Sequence, residues 1–151
     1  MSEKNFSLHL ISATETIDLR SRVLRPGQAI ELCHYPEDNL PTSFHVGARN
    51  MNGKVLCNGT FIQQSHNFFP TAKWPYRLRG MASDPCVQKQ GLGSAVVRHA
   101  LKILTEKKCD LLWFNARTSA EIFYQKLGFV TIGETFDIPQ IGPHKVMYKW
   151  L

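Results

Sequence analysis

No two cysteines of this sequence lie close enough to form a C-x-x-C motif. The four, Cys33, Cys57, Cys86 and Cys109, are scattered along the chain. That spacing argues against a zinc knuckle or a thioredoxin-like redox pair, and no metal site is expected. The opening stretch, MSEKNFSLHL, lacks the apolar centre of a signal peptide. Four reduced thiols in a cytoplasmic protein are therefore the expectation. No apolar run approaches about 20 residues, so no membrane-spanning helix is expected. There is no internal repeat and no low-complexity tract. There is also no run of five like charges and no recognisable nucleic-acid motif.

What is present is ordinary globular composition. The chain has 151 residues, with 43% hydrophobic and 20% charged. One domain spanning 1–151 is expected, large enough to bury a core without disulfide or metal staples. The formal charge is +6 and the pI near 9.3. Such an excess suits a phosphate-bearing partner, which could be nucleic acid, an anionic membrane or a phosphorylated small molecule. The dispersal of the basic residues counts against nucleic acid.

Hydrophobic periodicity predicts the elements. A strand is expected at about 5–11, from alternating Phe6, Leu8 and Leu10. Thr14 or Thr16 is expected to cap a helix that Arg25-Pro26-Gly27 stops, with a short helical stretch near 28–33. Two strands, Ser43–Arg49 and Lys54–Gln63, flank an Asn50-Met51-Asn52-Gly53 hairpin turn. An aromatic loop holding Phe68, Phe69 and Trp74 precedes a strand at Tyr76–Ser83. A long amphipathic helix is expected at about 91–107, a buried strand at Leu111–Asn115 and a helix at Ser119–Leu127 capped by Gly128. Strands at Phe129–Phe136 and Lys145–Trp150 close a mixed α/β domain.

The segment Arg77–Leu104 carries the most chemical information. A strand runs through Asp84-Pro85 into a glycine-bearing turn and then a helix. Free N–H groups and the helix dipole converge there, which suits a phosphate or pyrophosphate. The turn lacks the Gly-Lys-Ser/Thr of a Walker A loop, and Val96 stands where the Rossmann pattern needs its third glycine. The pattern Q-x-x-G-x-G is met by Gln88, Gly91 and Gly93.

Leu78-Arg79-Gly80-Met81-Ala82-Ser83-Asp84-Pro85, followed by Gln88-Lys89-Gln90-Gly91-Leu92-Gly93-Ser94, resembles motif A of the GNAT superfamily of acyl-CoA N-acyltransferases. Downstream, Trp113, Asn115, Ala116, Arg117, Ala120, Phe123, Tyr124, Leu127, Gly128 and Phe129 look like its motif B. The resemblance implies a central, mostly antiparallel sheet of about six or seven strands, flanked by about four helices. Two splayed strands would form the CoA cleft. It implies acetyl transfer from acetyl-CoA to an amine in a ternary complex, or alternatively a non-catalytic acyl-CoA-binding domain. Met81, Ala82 and Ser83 would pair with the pantetheine arm. Gln88, Lys89, Gln90, Gly91, Leu92, Gly93 and Ser94 would hold the pyrophosphate, with Lys89 and Lys126 as nearby cations. Asn115 would bond the pantetheine region, and Tyr124 would protonate the leaving thiolate. Read without the motif, Tyr124 is a core aromatic beside Phe123, and Asn115 is a polar strand end. A homodimer is compatible with such a fold.

The resemblance assigns no general base, because Tyr76–Ser83 holds no glutamate. Polar candidates for the acceptor side are Glu31, His34, Glu37, Asp38, His45, His66 and His144. Of these, His45 reads best as a core histidine. His144 follows Gly142-Pro143 at the start of the last strand, an element that resembles one recurring in small bacterial GNAT proteins. Histidine can take a proton from an ammonium near neutral pH. His144 is therefore the candidate base or acceptor-binding group, expected near Tyr124. Its other reading is a strand-start histidine bonded to backbone.

Overall fold

Seven alternating segments pair into one sheet. The computed structural model describes residues 5–151. The strands are β1 (Ser7–Ile11), β2 (Phe44–Arg49), β3 (Val55–Gln63), β4 (Pro75–Ser83), β5 (Leu111–Arg117), β6 (Val130–Ile138) and β7 (Gly142–Trp150). Their order is β1-β2-β3-β4-β5-β7-β6. Every neighbouring pair is antiparallel except β4–β5. The hairpin between β2 and β3 forms as expected: Asn50 Oδ1 accepts from the N–H groups of Asn52 and Lys54, and Gly53 has φ +83°. The last strand starts earlier than expected, because Gly142, Pro143 and His144 already pair with Ile138, Asp137 and Phe136.

The expectation of about four helices is one too many. Three segments are α-helical among the described residues: α1 (Ile17–Leu19), α2 (Leu92–Glu106) and α3 (Glu121–Gln125). The stretch near 28–33 closes only as a 3-10 turn, Ile30–Cys33. Its Cys33 carbonyl turns instead to the Arg20 guanidinium, at 2.8 Å. Neither Thr14 nor Thr16 caps the first helical segment. Ser12 does, through a capping box: its N–H donates to Glu15 Oε2 at 2.8 Å, and its Oγ accepts from the Glu15 N–H at 3.4 Å. A π turn, Arg20–Leu24, ends that segment.

The core lies between one sheet face and α2. Leu92, Val96, Val97, Ala100 and Leu104 of α2 pack on Val46, Phe61, Leu78, Leu112, Phe114 and Met147. The opposite face has a polar centre. Arg20, 1% exposed, donates to both carboxylate oxygens of Asp38 at 2.8 and 2.9 Å and to Thr60 Oγ1 at 2.6 Å. His45 joins through Thr60 Oγ1 at 2.7 Å and the Asp38 carbonyl at 3.0 Å. Burial holds the His45 ring below the usual histidine range. Asp38 and His45 thus pin the 30–40 loop to the sheet, and their polar groups are spent within the protein.

Candidate active site

A wedge opens where β4 and β5 part. The two strands pair only at Pro75–Leu111, Tyr76–Leu112 and Arg77–Trp113. Beyond that rung β5 pairs with β7, and β4 keeps only β3. A bulge in β4 accompanies the split: Thr60 faces Arg79, whereas Asn58 faces Ala82. Gly80 occupies the bulge with φ +64°, and a Cβ there would meet Arg20 Nε at 3.0 Å and the Tyr35 ring at 3.2 Å. Met81, Ala82 and Ser83 therefore line the wedge with a backbone edge that β5 does not pair. Asn115 stands on the other wall, opposite Val146 of β7.

The turn at the mouth of the wedge is held from below. The Asp84 N–H donates to the Leu56 carbonyl at 2.8 Å. Asp84 Oδ1 accepts from the Cys86 N–H at 3.0 Å, and Arg22 binds Oδ2 at 2.9 Å. The Cys86 N–H first, and then Arg22, hold this carboxyl down at about 2. Lys89 (φ +66°) and Gly91 (φ +83°) turn the chain sharply into α2. The Ala95 N–H is bonded to the Gly91 carbonyl at 3.1 Å. The N–H groups of Leu92, Gly93 and Ser94 precede that ladder and point out of the helix start. Glycine at 93 keeps the approach narrow, since a Cβ would meet the Phe123 ring at 3.1 Å. Such a cradle of donors fits a pyrophosphate.

Tyr124 is positioned by the end of α3. The Gly128 N–H donates to the Gln125 carbonyl at 3.0 Å and the Phe129 N–H to the Tyr124 carbonyl at 3.1 Å. With Gly128 at φ +94° this is a Schellman cap, as the glycine predicts. The Tyr124 ring is wedged against Phe114 (4.3 Å between centroids), Phe123 (4.9 Å) and Phe129 (6.1 Å). Among the described residues none hydrogen-bonds its hydroxyl. Burial, and then the neighbouring Cys57 thiol, push that hydroxyl above the usual tyrosine range. Cys57 in turn accepts from Ser83 Oγ at 3.2 Å. Cys57 and Tyr124 belong to the same buried core, and Ser83 at the wedge bonds that thiol.

His144 lies on the other side of the sheet from Tyr124. It pairs with Arg117, and alternate residues Trp113, Asn115 and Arg117 share that face. Phe114, against which Tyr124 packs, points the opposite way. The imidazole Nδ1 of His144 donates to the Gly142 carbonyl at 2.8 Å, and its ring lies 6.1 Å from that of Phe136. Glu31 and His34 are exposed in the 30–40 loop, while Glu37 reaches Arg79 at 3.5 Å. His66 leans edge-on against Trp113 at 4.6 Å. Tyr35, Arg77 and Arg79, not singled out from the sequence as site residues, complete this face. Tyr35 is sandwiched between the guanidinium groups of Arg20 (3.8 Å) and Arg79 (4.0 Å). Arg77 lies over Trp113 at 4.9 Å. The period-two spacing of Arg77 and Arg79 in β4 was the available signal for those two.

A sheet split by a bulge, with a donor-rich turn feeding a helix at the mouth of the split, is the architecture of an acyl-CoA N-acyltransferase. The family model described as an acetyltransferase (GNAT) domain matches residues 42–131. The chain belongs to the GNAT family, whose members transfer acyl groups from acyl-CoA to amines. It is 43% identical over 141 residues to the uncharacterized N-acetyltransferase YitI of Bacillus subtilis (strain 168), covering 93% of each chain. A GCN5-related N-acetyltransferase from Kribbella flavida superposes with TM-score 0.76 at 17% identity, covering 99% of both chains. An aminoglycoside 6'-N-acetyltransferase complexed with coenzyme A superposes with TM-score 0.72 at 12% identity, over 95% of this chain and 96% of that one. No helix among the described residues is long and apolar enough to cross a membrane. The same residues hold no cluster of metal-binding side chains.

Proposed function

We propose that residues 1–151 act as one cytoplasmic N-acetyltransferase domain, moving an acetyl group from acetyl-CoA to a primary amine in a ternary complex. The observation that carries this reading is the wedge between β4 and β5, closed at Arg77–Trp113 and edged by unpaired backbone. Acetyl-CoA brings an activated thioester and a thiol leaving group. The N–H groups from Gln88 to Ser94 hold its pyrophosphate, assisted by Lys89 and Lys126. The backbone of Met81, Ala82 and Ser83 and the side chain of Asn115 align the pantetheine arm along the wedge.

Two side chains carry the protons. Because His144 Nδ1 donates to a carbonyl, the neutral ring has its lone pair on Nε2. Nε2 is the atom that takes the proton from the acceptor ammonium. The Tyr124 hydroxyl gives its proton to the departing sulfur.

The test is CoA release from acetyl-CoA with a panel of amines, alongside thermal shift with acetyl-CoA alone. Release with one amine class is expected. A thermal shift with no release for any amine would instead support a non-catalytic acyl-CoA-binding domain. On the best amine, His144→Ala is expected to lower kcat/KM by about 100-fold, the usual worth of a general base. Full activity of that variant between about pH 6 and 9 would remove His144 from the proton pathway.

A further inference from the structure

The acceptor face of the wedge carries a cation that no carboxylate among the described residues pairs directly. Arg77 sits at the apex, on the last rung that β4 shares with β5. Its Nη1 donates to the neutral side-chain amide of Gln64 at 3.2 Å. Its Nε is shut off from solvent and has no hydrogen-bond partner. Glu37, the carboxylate on this face, is bonded to Arg79. The ion pairs among the described residues engage Arg20, Arg22, Arg49 and Arg79, and leave Arg77 out.

A half-buried guanidinium whose Nε is shut off from water without a partner is costly unless an anion meets it. Burial, followed by repulsion from Arg79, draws the Arg77 guanidinium down to about 10. Its surroundings add another donor. His66 Nδ1 accepts from the Phe68 N–H at 3.0 Å, so the neutral ring carries its proton on Nε2. Burial, and then Arg77 itself, keep His66 below the usual histidine range. The Trp113 ring provides an apolar shelf beneath Arg77. Arg77 and His144 belong to the same sheet face, through the Arg77–Trp113 and Arg117–His144 pairings.

We propose that Arg77 reads a carboxylate on the acceptor, so that the amine substrate is an amino acid or a related amine bearing a carboxylate. This rests on the acyltransferase reading above. The planar fork of arginine matches two carboxylate oxygens, which a neutral amine or a polyamine does not supply. Trp113 and Arg117 are four residues apart, so about 13 Å of strand separates the Arg77 rung from the His144 rung. Acceptors whose amine and carboxylate are separated by several carbons therefore suit the site best.

The experiment compares CoA release for amino acids with one to about five carbons between amine and carboxylate, each beside its carboxamide. With wild type, kcat/KM for the acid is expected to exceed that for the carboxamide by about 10-fold or more, the worth of a charge-assisted hydrogen bond. In Arg77→Gln this preference should vanish through a rise in KM for the acid that exceeds any change seen with the carboxamide. Arg77→Lys keeps the charge without the fork and should retain part of the preference. Equal wild-type rates for acid and carboxamide would overturn the proposal, as would an equal loss on both substrates in Arg77→Gln. Turnover of neutral amines but not acids would sink this inference alone. Failure of every amine to release CoA, with the acetyl-CoA thermal shift intact, would sink the acyltransferase reading and this inference with it.

Discussion

Tyr124→Phe is expected to lower kcat for CoA release by about 100- to 10,000-fold, the span of general acid catalysis. The thermal midpoint should barely move. The hydroxyl has no hydrogen-bond partner among the described residues, so its removal leaves no buried group orphaned. The ring contacts to Phe114, Phe123 and Phe129 survive in phenylalanine. The KM for acetyl-CoA should also hold, because the backbone cradle is untouched. A stable variant that binds acetyl-CoA and turns over slowly isolates the proton step. A variant with wild-type kcat would return Tyr124 to the role of a core aromatic.

The same site has a pH signature. Burial first, and Cys57 second, hold the Tyr124 hydroxyl above the usual tyrosine range. The acid form therefore persists well above pH 10, the ordinary tyrosine value. A tyrosine in water would lose its proton near pH 10 and take the rate down with it. Here the alkaline side of the kcat profile should stay flat through that region.

Much of the fold was legible from the spacing of residues. The Gln88, Gly91 and Gly93 turn and the Gly128 cap announce themselves because each needs a backbone conformation that few residues tolerate. The strand boundaries followed period-two alternation to within a few residues. The first helix cap was misplaced although Ser12-Ala13-Thr14-Glu15 spells a capping box. The polar centre was less legible. Arg20 and Asp38 are 18 residues apart, and Arg20 and Thr60 are 40 apart, so no local pattern joins them. The bulge at Gly80 was equally hidden, because it is defined by the register of β4 against β3. Arg77 and Arg79 precede that bulge on regular pairs with Ile62 and Thr60, but Trp113, Tyr35 and Glu37, which meet them, come from distant segments, so the acceptor side could be assembled only in three dimensions.

Asp38→Ala is expected to cost about 3–5 kcal/mol of stability, the usual penalty for stranding one half of a buried ion pair. For a domain of this size that is a fall in Tm of roughly 10 °C or more. Arg20 would keep its Cys33 and Thr60 partners but would lose both carboxylate bonds at 1% exposure. Replacing both partners, as Arg20→Met with Asp38→Leu, should recover a substantial part, because no charge is then left buried. The pH dependence follows from the carboxyl itself. Burial raises it, but the Arg20 bonds and the Tyr35 N–H outweigh burial and bring it below the ordinary aspartate range. A carboxyl depressed in the folded state contributes its full stability above the unfolded value of about 3.9, and loses it as pH falls from there through the folded value. Wild-type urea midpoints should therefore drop below about pH 4 more steeply than those of Asp38→Asn. The functional consequence should fall on one substrate only. The 30–40 loop carries Tyr35 and Glu37 to Arg79, whereas the turn from Gln88 to Ser94 rests on Asp84 and the start of α2. Loosening the loop should raise the KM for the acceptor and leave the KM for acetyl-CoA near its wild-type value. Equal increases in both would mean that Arg20 and Asp38 support the whole wedge through Gly80 rather than the acceptor wall alone.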